Sequence, residues 1–228
     1  MPMSLGFIFM ATHRDRTTPN ARALIDEALS LGVRNIGFKD IGLPPADLKE
    51  LAKASRAGGG RVFFELVSLD PESEIRSAKA AADFGVDWLL GGVSASEVAP
   101  IAKENGIAYA PFPGSVRGHP SVLEGPVDEI VASAEALCAL EGVRGLDLLA
   151  YRHRDPIAVM RAVVTAVDLP VIVAGSIDSP QRISEVLASG AAGFTVGSSA
   201  ISGAFTAAAR DFASQIRAIQ AATAPGSS

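Results

Sequence analysis

The sequence predicts a single (β/α)8 barrel, and three observations carry that expectation. Short apolar, β-branched runs alternate strictly with amphipathic helical stretches, and eight such strand–helix units follow one another. That alternation is the pattern of a parallel sheet with crossover helices, and eight units close a barrel. A G-x-G-x-x-G turn after the first apolar run, the mark of a dinucleotide-binding open sheet, is absent. Finally, 228 residues, 48% of them hydrophobic, can fill one large core, and no linker or low-complexity block divides them. The expected domain is 1–221, with 222–228 as a disordered tail.

The elements follow in order. Residues 5–11 (LGFIFMA) read as a strand covered on both faces. A helix over 17–31 opens at Thr17-Thr18-Pro19 and closes at Gly32. Strand two covers 35–41, and Pro44-Pro45 leads into a helix that ends at Gly58. Residues 61–69 (RVFFELVSL) form strand three, and Asp70-Pro71 supplies a capping residue with proline at the first helical position. Strand four covers 88–93, its helix runs from Ser94 to Asn105, and strand five covers 107–112. The Gly/Pro-rich connection 113–126 is the longest, and at the mouth of a barrel it reads as a lid or as a solvated loop. A helix over 127–140, strand six at 145–151 and a helix from Asp155-Pro156 come next. Strand seven is 171–173, Ser179-Pro180 opens its helix, strand eight is 193–196, and a last helix covers 203–221.

Composition narrows the function. A net charge of −5 without a basic stripe argues against nucleic acid as a partner. No run approaches the roughly 20 apolar residues of a membrane span, and with charges at His13-Arg14-Asp15 no signal peptide is expected. A lone cysteine, Cys138, fits a reducing compartment, so the expected location is cytoplasmic. The three histidines fall in different loops with no H-x-x-x-H or H-E-x-x-H spacing, so neither a metal nor another cofactor is expected. Nothing marks an interface, and a homodimer is compatible with a barrel of this size.

A charged residue inside a barrel strand needs a reason, because one face lies in the lumen and the other under helices. In Ile36-Gly37-Phe38-Lys39, alternation turns Gly37 and Lys39 to the lumen. A desolvated lysine with a lowered pKa serves as acid, base or imine-forming nucleophile. Glu65 interrupts Val62-Phe63-Phe64-Glu65-Leu66-Val67, and a buried carboxylate must meet a cation or hold a proton. Adjacent strands bring Lys39 and Glu65 within reach, either as an acid–base couple or as a structural ion pair with Asp40 as the competing partner. Tyr151-Arg152-His153-Arg154-Asp155-Pro156 is the densest polar cluster. Its alternation places Tyr151 and His153 on one face and Arg152 on the other; Arg152 or Arg154 offers a planar fork for a phosphate or carboxylate, and His153 a proton carrier near neutral pH.

The stretch 170–203 (PVIVAGSIDSPQRISEVLASGAAGFTVGSSAISG) delivers two small, amide-rich turns from neighbouring strands, Gly175-Ser176 and Gly197-Ser198, with a helix start behind the second. Unsatisfied N–H donors in such turns form an anion cradle. The stretch resembles the phosphate site after strands seven and eight of the phosphate-binding barrels, the group with the ribulose-phosphate and indole-glycerol-phosphate enzymes. YRHRDP resembles the sixth-strand motif of the ketogulonate-phosphate decarboxylases. Their Asp-x-Lys-x-x-Asp pattern is not met at Lys39, which Asp40 follows directly.

The resemblance implies a phosphorylated sugar or related metabolite as substrate. Its phosphate would lie on Gly175, Ser176, Gly197 and Ser198, with Arg152 on a polar end and Lys39, Glu65 and His153 as catalytic candidates. A Lys/Glu pair without metal suits proton abstraction beside a carbonyl, hence an isomerase or epimerase. The alternatives are carbon–carbon cleavage or decarboxylation on the same substrates, or a non-catalytic sensor resembling the glycerol-phosphate-responsive antiterminators.

Overall fold

The computed structural model describes residues 5–223, so the expected tail lies, beyond Thr223, outside the described residues. The chain opens with β1 (Gly6–Met10) and a small hairpin, β2 (Thr12–His13) and β3 (Arg16–Thr17). Then come α1 (Ala21–Ser30), β4 (Asn35–Lys39), α2 (Pro45–Ala57), β5 (Arg61–Leu66), α3 (Pro71–Phe84), β6 (Trp88–Gly91), α4 (Ala95–Glu104) and β7 (Ala108–Ala110). A second hairpin, β8 (Ser115–Arg117) and β9 (Val122–Glu124), precedes α5 (Val127–Cys138) and β10 (Leu146–Leu148). The chain continues through α6 (Pro156–Ala166), β11 (Val171–Val173), α7 (Pro180–Ser189), β12 (Gly193–Val196), α8 (Ser198–Ile201) and α9 (Phe212–Ala222).

Eight strands pair in parallel in the order β10-β11-β12-β1-β4-β5-β6-β7. The Arg144 amide donates to the Tyr109 carbonyl at 2.8 Å and the Asp147 amide to Pro111 at 3.0 Å, tying β10 back to β7. The sheet is thus a nearly closed (β/α)8 barrel. Among the described residues no helix is long and apolar enough to cross a membrane.

Register decides what fills the lumen. Ile8 pairs with Thr195, Met10 with Gly37, Phe63 with Trp88, and Glu65 with both Lys39 and Leu90. Side chains alternate along a strand, so these residues share the inner face. Leu5, Ile8, Met10, Phe63, Trp88, Leu90, Ala110 and Ile172 form a separate inner apolar cluster, with Phe63 stacked on Trp88 at 6.0 Å. The charged inward residues come after these along their strands, where Lys39 ends β4 and Glu65 is second to last in β5. The lumen is therefore dry at one end and charged at the C-terminal end.

Four elements depart from the sequence expectation. The first helix begins at Ala21 instead of Thr17, because Thr17 is engaged elsewhere: its amide donates to Ile41 and its hydroxyl to the Lys39 carbonyl at 2.8 Å. Strand six stops at Leu148, since its partner β11 ends at Val173, and Ala150–Arg152 tighten into a 3-10 turn. The alternation expected for Tyr151, Arg152 and His153 therefore does not apply. The expected final helix over 203–221 is a single turn, α8, then an irregular stretch pinned by Gln215 to Thr206, and only then α9. The connection 113–126 carries the hairpin β8–β9.

Glu74 of α3 shows how one side chain sets a loop. Fully buried, its carboxylate accepts from the Val93 amide at 3.0 Å and the Ser94 amide at 2.9 Å, at the start of α4. Glu74→Ala strands those two donors, and urea unfolding should show a loss of about 2–3 kcal/mol, with Glu74→Gln losing less.

Candidate active site

The charged end of the lumen opens into a cavity of about 320 Å³. Its floor is the Lys39–Glu65 pair, brought together by the β4–β5 register, with Lys39 Nζ 3.1 Å from Glu65 Oε1. A third residue completes the floor. Asp15, at the tip of the β2–β3 hairpin, accepts on one oxygen from Lys39 Nζ and from Arg152, each at 2.8 Å. Arg152 in turn donates to the Ser121 carbonyl at 3.1 Å, which anchors the second hairpin. The rim comes from the turns after β11 and β12, with Gly175, Ser176, Gly197 and Ser198 lining the cavity beside the buried Thr195.

The electrostatics follow from burial and pairing. Burial alone would push Asp15 up, but the Arg152 hydrogen bond and the Lys39 charge outweigh it and hold the carboxyl well below the usual range. Burial would likewise lower Lys39, yet the Glu65 and Asp15 carboxylates overcome it and raise the ammonium above an ordinary lysine. The expectation of a lowered lysine pKa is therefore corrected, because two carboxylates flank one ammonium. Beneath them, Asp147 of β10 is fully buried and neither carboxyl oxygen has a hydrogen-bond partner. Burial first, then the charge of Glu65, push its pKa well above the ordinary value. Two cations, Lys39 and Arg152, thus face the Asp15 and Glu65 carboxylates, and the ionised form of the buried Asp147 carboxyl is disfavoured beside them.

Two glycines on the rim are held by close approach. A side chain on Gly175, whose φ is +76°, would meet Arg152 Nε at 2.5 Å, so the guanidinium lies against the turn. A side chain on Gly197 would meet the Met10 carbonyl at 2.7 Å. The helix behind that second turn, α8, is one turn long, so the loop amides and serine hydroxyls are the available donors.

Seven of the eight sequence candidates meet at this cavity: Lys39, Glu65, Arg152, Gly175, Ser176, Gly197 and Ser198. His153 does not. Its Nε2 lies 2.9 Å from the Gly125 carbonyl and its Nδ1 accepts from the Asp155 amide at 3.0 Å, so both ring nitrogens are used in fixing the second hairpin and the start of α6. Asp40, the competing partner for Lys39, instead accepts from the Val67 amide and the Ser77 hydroxyl. Asp15 and Asp147 were not singled out by the sequence.

No family model and no curated protein sequence matches the chain. Solved structures do. The native KDPGal structure is 18% identical with a TM-score of 0.66, covering 97% of this chain and 96% of that one. A chain of tryptophan synthase from M. tuberculosis is 14% identical with a TM-score of 0.67, covering 98% and 94%. The N-acetylmannosamine-6-phosphate 2-epimerase from Clostridium perfringens is 12% identical with a TM-score of 0.64, covering 86% and 88%. At these identities the likeness establishes the barrel fold.

The two aspartates have opposite pH signatures. An acid with a raised folded-state pKa costs stability as pH climbs above its unfolded value of about 3.9, whereas one with a depressed value stabilises throughout that range. Asp147→Asn, which keeps the shape of the carboxyl and cannot ionise, should therefore stabilise at pH 8, with the gain shrinking toward pH 4.5. Asp15→Asn should lose about 3 kcal/mol, by the same amount at both values, because it breaks a buried pair. Urea unfolding at pH 4.5 and pH 8 reads both.

Proposed function

We propose that the protein is an enzyme acting on a phosphorylated sugar or related small metabolite, by proton abstraction next to a carbonyl. The observation that carries this reading is the placement of the Lys39–Glu65 pair at the floor of one cavity whose rim is formed by the turns at 175–176 and 197–198. The similar fold of a 6-phosphate epimerase supports it.

The chemistry follows from the charges. A phosphate would accept from the loop amides and from the Ser176 and Ser198 hydroxyls, placing the attached carbons over the floor. Glu65 is the base, since Asp15 is held ionised by two cations and is the weaker proton acceptor. Its carboxylate takes the proton from carbon, the C–H electron pair moves toward the carbonyl, and an enediolate forms. The Lys39 ammonium lies beside Glu65 and hydrogen-bonds the developing oxyanion, the electrostatic stabilisation such a step requires. Glu65 returning the proton to the adjacent carbon, while Lys39 gives a proton to the first oxygen and takes one from the second, isomerises the substrate; a proton taken from water on the opposite face, with Glu65 releasing its own to solvent, epimerises it. Arg152 holds a polar substituent at the rim. Carbon–carbon cleavage from the same enediolate is the close variant, whereas an imine on Lys39 would first require its ammonium to give up a proton that two carboxylates hold.

Two measurements test this. Sugar phosphates should raise the unfolding midpoint of the wild type, by mass action on the native state. Ser176→Asp should abolish the shift, since Asp tolerates the left-handed backbone at φ +58° while placing a negative charge on the rim. On a stabilising ketose or aldose phosphate, NMR in D2O should show exchange of the proton beside the carbonyl. Glu65→Gln should slow that exchange at least about 100-fold, the usual worth of a general base, while still binding. No shift with any phosphorylated compound, or full exchange in the Gln variant, defeats the reading.

A further inference from the structure

A second cavity, of about 360 Å³, lies beside the first and shares Asp15, Arg152, Ser176 and Ser198 with it. Arg14 closes it on one side and residues 120–122 of the second hairpin on the other. The site proposed above gives this outer lobe no task.

Charge is the first argument. In the inner lobe Lys39 and Arg152 are already matched by Asp15 and Glu65, so an anion entering there meets amides and hydroxyls but no surplus positive charge. Arg14 is different. No carboxylate among the described residues pairs with its guanidinium, whereas Arg117 pairs with Glu124 and Arg182 with Asp178. Its amide donates to Ser198 Oγ at 3.2 Å, which seats the hairpin tip directly on the second rim turn.

The backbone is the second argument. Among the described residues the non-glycine residues with positive φ are Arg14 at 49°, Asp15 at 59° and Ser176 at 58°, and all three line the outer lobe. A two-residue hairpin turn with both φ positive ordinarily takes Asn-Gly or Asp-Gly. Here Arg-Asp occupies it, and both residues line the outer lobe. Strain of this kind persists where the surroundings hold it and the side chains are needed.

We propose that the outer lobe is a second anion subsite read by Arg14, so that the ligand carries two anionic groups. The first is the phosphate on the turns at 175–176 and 197–198. The second, a phosphoryl or a carboxylate, lies next to it between Arg14 and Arg152. This rests on the phosphate reading above and narrows its substrate class from phosphate monoesters in general to bis-anions.

Calorimetric titration of the whole chain with inorganic phosphate, pyrophosphate and 2-phosphoglycolate tests it. At least one bis-anion should bind wild type about tenfold tighter than phosphate, the gain expected of one guanidinium contact. A gain for pyrophosphate alone identifies a phosphoryl, and a gain for phosphoglycolate alone a carboxylate. Arg14→Asn tolerates the left-handed turn; it should erase that gain while leaving phosphate affinity within about twofold, and Arg14→Lys should restore part of it. If phosphate binds but neither bis-anion binds tighter, or if Arg14→Asn weakens all three alike, the second subsite is wrong and the phosphate cradle stands. If phosphate does not bind and Ser176→Asp changes nothing, the cradle itself fails, and the subsite with it.

Discussion

One carboxylate organises the mouth of this barrel. Asp15 accepts from Lys39 and from Arg152 on the same oxygen, and through those two cations it connects the floor of the lumen to its rim. Neither cation could be buried alone, because an unpaired charge in a low-dielectric interior costs several kcal/mol after relaxation. Asp15 and Glu65 together make the burial of Lys39 and Arg152 tolerable. The same bonds fix the positions of both hairpins: the first presents Asp15 from its tip, and the second is tethered through Arg152 to Ser121.

Charge balance then explains Asp147. With two cations matched to two carboxylates, a third ionised carboxyl near them would be uncompensated, so burial and the Glu65 charge both work against its ionisation. A buried carboxyl with unpartnered oxygens beside an ion-pair cluster is an expensive arrangement.

Much of this was legible in the sequence, for reasons that can be named. Strands and helices announced themselves by period, and caps such as Asp70-Pro71, Asp155-Pro156 and Ser179-Pro180 lie where helices begin, each with its side chain accepting from the first turn. Lys39 and Glu65 stood out as charges inside apolar runs, and the parallel register made them neighbours. Asp147 carries the same signal in Leu146-Asp147-Leu148 and would have been found by the rule that singled out Glu65. Asp15 carries none. It acts from a two-residue turn without the glycine or asparagine that marks such turns, in a stretch whose charges look like ordinary surface. His153 misled because strand alternation was carried past the end of the sixth strand onto it. Once β10 ends at Leu148, the chain folds into a 3-10 turn, and the imidazole is spent on loop anchoring.

The protonation states weigh on which reactions suit the proposed site. Chemistry through an imine begins with a neutral amine, and deprotonating Lys39 would leave the Asp15 and Glu65 carboxylates opposed by Arg152 alone, turning a balanced cluster into a net anion inside the barrel. Enolisation disturbs the cluster less. When Glu65 accepts a proton from carbon, one negative charge passes from the carboxylate to the substrate oxygen and remains beside the ammonium. The total charge of the buried cluster with its ligand is the same before and after, so the surroundings need little reorganisation at the moment of transfer. A cluster whose charge is conserved along the reaction coordinate favours proton shuttling over covalent attachment, and among the reactions open to a phosphorylated carbonyl compound it favours isomerisation and epimerisation first.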